Sequence, residues 1–98
     1  MNKKRIYISL PISGHPIYSV MSRALSIKEK LMDGYWAITP FDICSDLTQP
    51  YSYFMGEDIK ELLECDAVYF AKGWEKSRGC RLEYSAAEIY GKEILYEK

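Results

Sequence analysis

Two carboxylates stand where helices should be apolar. The stretch from Gly73 to Gly91 reads as a loop and then a helix from about Arg78 to Tyr90, with Ser77 as its N-cap and Gly91-Lys92 as its stop. Turned at about 100° per residue, Arg81, Ser85 and Glu88 form a polar arc. Cys80, Leu82, Tyr84, Ala86, Ala87, Ile89 and Tyr90 occupy the rest, and Glu83 falls inside that apolar arc, between Ala87 and Tyr90. A carboxylate aimed at a core is costly unless something there uses it, and a place near the helix N-terminus favours the ionised form. A nucleophilic or proton-accepting carboxylate at the edge of a cleft is held in this way. Asp58 repeats the anomaly in a helix predicted from about Ser52 to Cys65, where it lies between Phe54 and the Met55/Leu62 edge. Two such groups suit a nucleophile and an acid/base in a glycosyl transfer. Each also has a structural alternative. Glu83 would cap a loop or pair with a buried Arg or Tyr, and Asp58 would bind a backbone amide in the stretch 41–50.

The elements that must position these groups follow from the pattern of the chain. Arg5 to Leu10 reads as a central strand with no polar face except Ser9, which lies on the Tyr7 side. Val20, Ala24, Ile27 and Leu31 recur at helical spacing after Pro16, and Asp33-Gly34 ends that helix. Tyr35 to Thr39 is a second strand, Phe41 to Pro50 a loop, and Ser52 the cap of the second long helix. Asp66 to Ala71 and Lys92 to Tyr96 supply the third and fourth strands. This alternation of strand and helix predicts one α/β domain over residues 1–98. Its parallel sheet has four or five strands in a flavodoxin- or Rossmann-like three-layer sandwich. With the first strand between the second and third, ligands should bind at the switch point between strands one and three.

Two loops meet at that point. Ser13 and Gly14 in the first, and Ser77 and Gly79 in the second, would hold an anionic or hydroxylated end of a ligand. Ordinary helix capping also accounts for Ser77. Trp74 would stack on a base or pack on Tyr51 or Tyr53, Tyr7 would be a core residue or orient a carboxylate, and His15 reads as a solvated loop residue. No dinucleotide fingerprint, phosphate-binding loop or metal-ligand cluster is present in the sequence, so neither a cofactor nor a metal is expected.

Composition narrows the class. Of the 98 residues, 48% are hydrophobic and 28% charged, which is globular composition. The net charge of −1 argues against an electrostatic nucleic-acid binder. Cys44, Cys65 and Cys80 are odd in number without metal-binding spacing, and the first apolar run is too short for a signal peptide or a membrane span. A cytoplasmic protein without membrane association is expected.

The pieces IYISLPISG, MGEDIKELLECDAVYF and GWEKSRGCRLEYSAAEIYGK, in that order, make the chain resemble the nucleoside 2-deoxyribosyltransferase superfamily. That superfamily includes 2'-deoxynucleoside 5'-phosphate N-hydrolases and small single-domain proteins. The resemblance implies the flavodoxin-like fold, with Glu83 as nucleophile, Asp58 assisting proton transfer to the base, Tyr7 orienting the glutamate and Ser77 holding the 5' end of the sugar. Serine at that position leans toward a nucleotide. The loop PISG departs from the phosphate hydrolases, and the sequence ends directly after the fourth strand, where relatives continue. The expected function is cleavage or transfer of the N-glycosidic bond of a (deoxy)nucleoside or its 5'-monophosphate. The rival is a non-catalytic nucleotide-sequestering module. A homodimer or higher oligomer is expected, with Tyr51, Tyr53, Phe54 and Met55 near the contact.

Overall fold

The computed structural model describes residues 3–43, 46 and 48–98; Cys44 lies outside them. The chain runs β1 (Lys4–Ser9), α1 (Ile17–Leu31), β2 (Tyr35–Ile38), α2 (Pro40–Ile43), α3 (Tyr51–Glu64), β3 (Ala67–Phe70), a single 3-10 turn (Trp74–Lys76), α4 (Arg78–Ile89) and β4 (Glu93–Tyr96). All four strands are parallel, in the order β2-β1-β3-β4, with Ile6 of β1 opposite Ala37 on one side and Ala67 on the other. This is a flavodoxin- or Rossmann-like sandwich, and its sheet has four strands.

The pleat of β1 sorts its side chains into two cores. Ile6, Ile8 and Leu10 point to one face and meet Val20, Ala24 and Ile27, the buried stripe of α1. Tyr7 points to the other face, where Leu62 of α3 and Ala87 of α4 close over Val68 and Phe70 of β3. One helix therefore covers one face, and α3 and α4 cover the other.

Local chemistry sets the helix ends. Ser77 caps α4, its Oγ accepting from the Cys80 amide at 3.2 Å. At the far end Gly91 takes φ +67°, the Lys92 amide donates to the Ala87 carbonyl at 2.8 Å, and the Gly91 amide donates to Glu88. That pattern is the Schellman stop. Two expectations are corrected. Ser52 does not cap α3: Pro50 takes that place in extended backbone, its carbonyl accepting from the Tyr53 and Phe54 amides, so the helix starts at Tyr51. The segment after β2 is also not all loop. Thr39 and Asp42 bond each other's amides, at 2.9 and 3.3 Å, and so stabilise the single turn of α2.

The apolar arc expected on α4 is only partly inward. Cys80, Glu83 and Ala87 form the buried stripe, whereas Leu82, Ile89 and Tyr90 are exposed. The helix is rolled so that the carboxylate, rather than the bulkier apolar residues, faces the sheet. Among the described residues no helix is long and apolar enough to cross a membrane.

Candidate active site

Glu83 is buried in the second turn of α4, and β1 reaches it with two hydroxyls. Tyr7 Oη donates to Glu83 Oε2 at 2.8 Å, and Ser9 Oγ donates to Oε1 at 2.6 Å. Tyr7 and Ser9 are two residues apart on a strand, so the pleat aims both at the same helix. Each carboxylate oxygen thus has its own donor. Asp58, buried in the middle of α3, completes the group.

These residues line a cavity of about 380 Å³ at the carboxyl end of β1, a volume within the usual range for small-molecule sites. Leu10, Ile12 and Ile17 contribute apolar lining. Phe41, Tyr51, Phe54 and Met55 contribute more, and Ser13, Ser77 and Gly79 also line the cavity with the buried Cys80. Gly79 is there because α3 comes close: a Cβ at this position would stand 3.0 Å from the Tyr51 hydroxyl and 3.3 Å from Met55 Sδ.

Burial dominates the electrostatics. It raises the Glu83 carboxyl from an ordinary 4.5 to about 7, with Ser9 and Tyr7 pulling it down and Asp58 pushing it further up. It raises Asp58 from 3.8 to about 7 as well, with Tyr7 opposing and Glu57 adding to the rise. Burial, together with Glu83 and Asp58, holds the Tyr7 phenol well above its ordinary value, so it remains a donor. The Cys80 thiol is likewise pushed up by burial, away from thiolate chemistry.

A tyrosine hydroxyl has one proton to give. In this site it goes to Glu83. Glu83 has a hydroxyl donor on each oxygen, and those two protons are not available to Asp58 at the same time. A single proton on the pair therefore rests on Asp58, leaving Glu83 as the carboxylate.

The family-level comparison fits a domain of this size. Residues 4–96 match the domain of unknown function DUF4406. The chain belongs to the DUF4406 family. No curated protein matches it.

Of the residues singled out in this DUF4406 domain, Tyr7, Ser13, Asp58, Ser77, Gly79 and Glu83 come together around one cavity. Gly14 and Trp74 do not line it. Gly14 turns the loop after β1 with φ +83°. Trp74, expected to stack on a base or on Tyr51 or Tyr53, instead stacks on Tyr84 at 4.7 Å and packs against Phe70 and Tyr96. The 3-10 turn carries the indole over β3 and away from the cavity. Ser9, which bonds Glu83, was not among the expected site residues; its spacing of two from Tyr7 was the available signal. Three of the four residues expected at a subunit contact, Tyr51, Phe54 and Met55, are cavity walls within the chain. Among the described residues, no three His, Cys, Asp or Glu side chains are grouped to hold a metal ion.

Proposed function

We propose that this site cleaves or transfers the N-glycosidic bond of a (deoxy)nucleoside or its 5'-monophosphate. The observation that carries the reading is Glu83: a buried carboxylate, one hydroxyl donor on each oxygen, beside a second buried carboxyl at a cavity. A structural carboxylate needs donors, but not an adjacent acid or a cavity of ligand size. The resemblance of the sequence to nucleoside 2-deoxyribosyltransferases points the same way.

In this mechanism a Glu83 oxygen attacks C1' of the sugar. The bond from C1' to the base nitrogen breaks, and its electron pair leaves with the base, which takes the proton of Asp58. The glycosyl ester on Glu83 is then attacked by water or by a second base, whose proton returns to Asp58. Atoms and charge balance over the cycle, and Glu83 is regenerated as the carboxylate. Tyr7 and Ser9 hold Glu83 in place and keep it ionised against its burial.

Free base released from a panel of deoxynucleosides and deoxynucleotides tests the proposal. Release is expected from the parent protein and is expected to be lost in Glu83→Gln. No release, or release undiminished in that variant, sinks it. One observation favours the rival sequestering module: burial raises both carboxyls to about 7, which lowers the fraction of reactive carboxylate. Ligand recovered intact after long incubation identifies that case.

A further inference from the structure

Resting on that reading, we infer that the site takes an uncharged nucleoside and discriminates against the 5'-phosphate, opposite to the lean that Ser77 gives from sequence. The ionisable side chains facing the ligand decide it. Asp58 and Glu83 are acidic, and Tyr7 and Cys80 stay neutral. Among the described residues, no lysine, arginine or histidine lines the cavity. The segment 44–47 brings none, because Cys44, Ser45, Asp46 and Leu47 are not basic. The basic residues in the flanking loops and the first turn of α4 (His15, Lys72, Lys76, Arg78 and Arg81) are exposed and outside the lining.

The positive end of α4 is the remaining candidate for a phosphate, and it is already partly occupied. The Cys80 amide is satisfied by the Ser77 hydroxyl. The first turn is roofed by Tyr51 and Met55, which approach Gly79 too closely to admit even a methyl group without adjustment. A helix N-terminus offers about half a positive charge, whereas a phosphate monoester brings roughly one and a half to two negative ones into a space that already holds a carboxylate. A 5'-hydroxyl has neither problem. It can donate and accept with Ser13 and Ser77, and the wall of Phe41, Tyr51 and Phe54 suits the face of a base.

Equilibrium binding by calorimetry, with matched 2'-deoxynucleosides and their 5'-monophosphates on the parent protein and on Glu83→Gln, tests this. The parent is expected to bind the nucleoside about tenfold or more tightly than the monophosphate. In Glu83→Gln the gap is expected to narrow, because one buried negative charge is gone. Monophosphate binding as tight as or tighter than nucleoside binding by the parent overturns the inference while leaving the glycosidic reading in place. Binding of neither ligand overturns both. Tight nucleoside binding with no base release keeps this inference and removes the catalytic one.

Discussion

Replacing Glu83 by glutamine reads directly on the buried pair, because it removes the titrating group and keeps its shape. Folded, the Glu83 carboxyl holds its proton up to about pH 7; its ordinary value is 4.5. As pH rises between those values, the unfolded chain gives up this proton while the folded chain keeps it. The unfolded state then binds fewer protons, so stability falls across that window and levels off above it. The contribution is complete below the unfolded value and gone above the folded one. Its size is about 3 kcal/mol for Glu83 alone. Asp58, raised from 3.8 to about 7, adds a loss of the same sign that begins at lower pH. Because the pair is coupled through repulsion and a shared Tyr7, the two losses do not simply add.

In Glu83→Gln the amide oxygen still accepts from Tyr7, and Ser9 turns to accept from the amide nitrogen. The fall in stability across the window should therefore shrink by about 3 kcal/mol, and near pH 8 the variant should exceed the parent by about 1 to 3 kcal/mol. Urea unfolding of both proteins at steps from about pH 5 to pH 8 measures this. A parent that grows more stable over that range refutes the reasoning. So does a variant less stable than the parent near pH 8. In either case the donors would outweigh burial, and Glu83 would be a structural anion.

Ser9→Ala should remove a bond that lowers the Glu83 value, so the acid limb of the pH–rate profile should move to higher pH; Tyr7→Phe should do the same and reduce turnover modestly, without preventing ligand binding. An acid limb unmoved in both variants would show that Glu83 does not set it. Asp58→Asn keeps the shape but has no proton for the departing base, so its loss of rate should be larger for poor leaving groups than for good ones, measured on two substrates. Trp74→Ala should lower stability by about 2 to 3 kcal/mol through the aromatic cluster with Phe70, Tyr84 and Tyr96, with ligand affinity unchanged in titration. Sedimentation at micromolar concentration should show at least a homodimer, because Tyr51, Tyr53, Leu82, Ile89 and Tyr90 are all substantially exposed; a strict monomer contradicts it.

The sheet was legible because each strand is a short apolar run between turn signals, and the helices because Val20, Ala24 and Ile27 on the first and Ser77 and Gly91 at the ends of the last obey periodicity and capping. The inward carboxylates were legible for the same reason: they break that periodicity. Other features depended on contacts between distant segments. The roll of α4 that exposes Leu82 and Ile89 is set by what β1 offers Glu83, and no wheel drawn for one helix includes β1. Trp74 was matched to a base or to Tyr51 and Tyr53 because its actual partners meet it only in the folded chain, Tyr84 from α4 and Tyr96 from β4. Ser9 read as the one polar blemish of a buried strand, since its acceptor lies 74 positions away.

Ser9 and Tyr7 also explain why a small core tolerates this arrangement. Burial pushes Glu83 and Asp58 in the same direction, toward protonation, and two protonated carboxyls would be the least costly solution for folding. The two hydroxyls of β1 break that symmetry. Both donate to Glu83, and neither proton is left for Asp58 while they do. The strand thereby sorts one proton between two helices. In the proposed mechanism Asp58 is then the proton donor and Glu83 the nucleophile, and the sorting precedes the ligand. A ligand that brings its own negative charge would disturb it by driving the second proton onto Glu83, whereas an uncharged one leaves it intact. The chemistry proposed for the pair and the charge proposed for its substrate are consequently two readings of the same two hydrogen bonds.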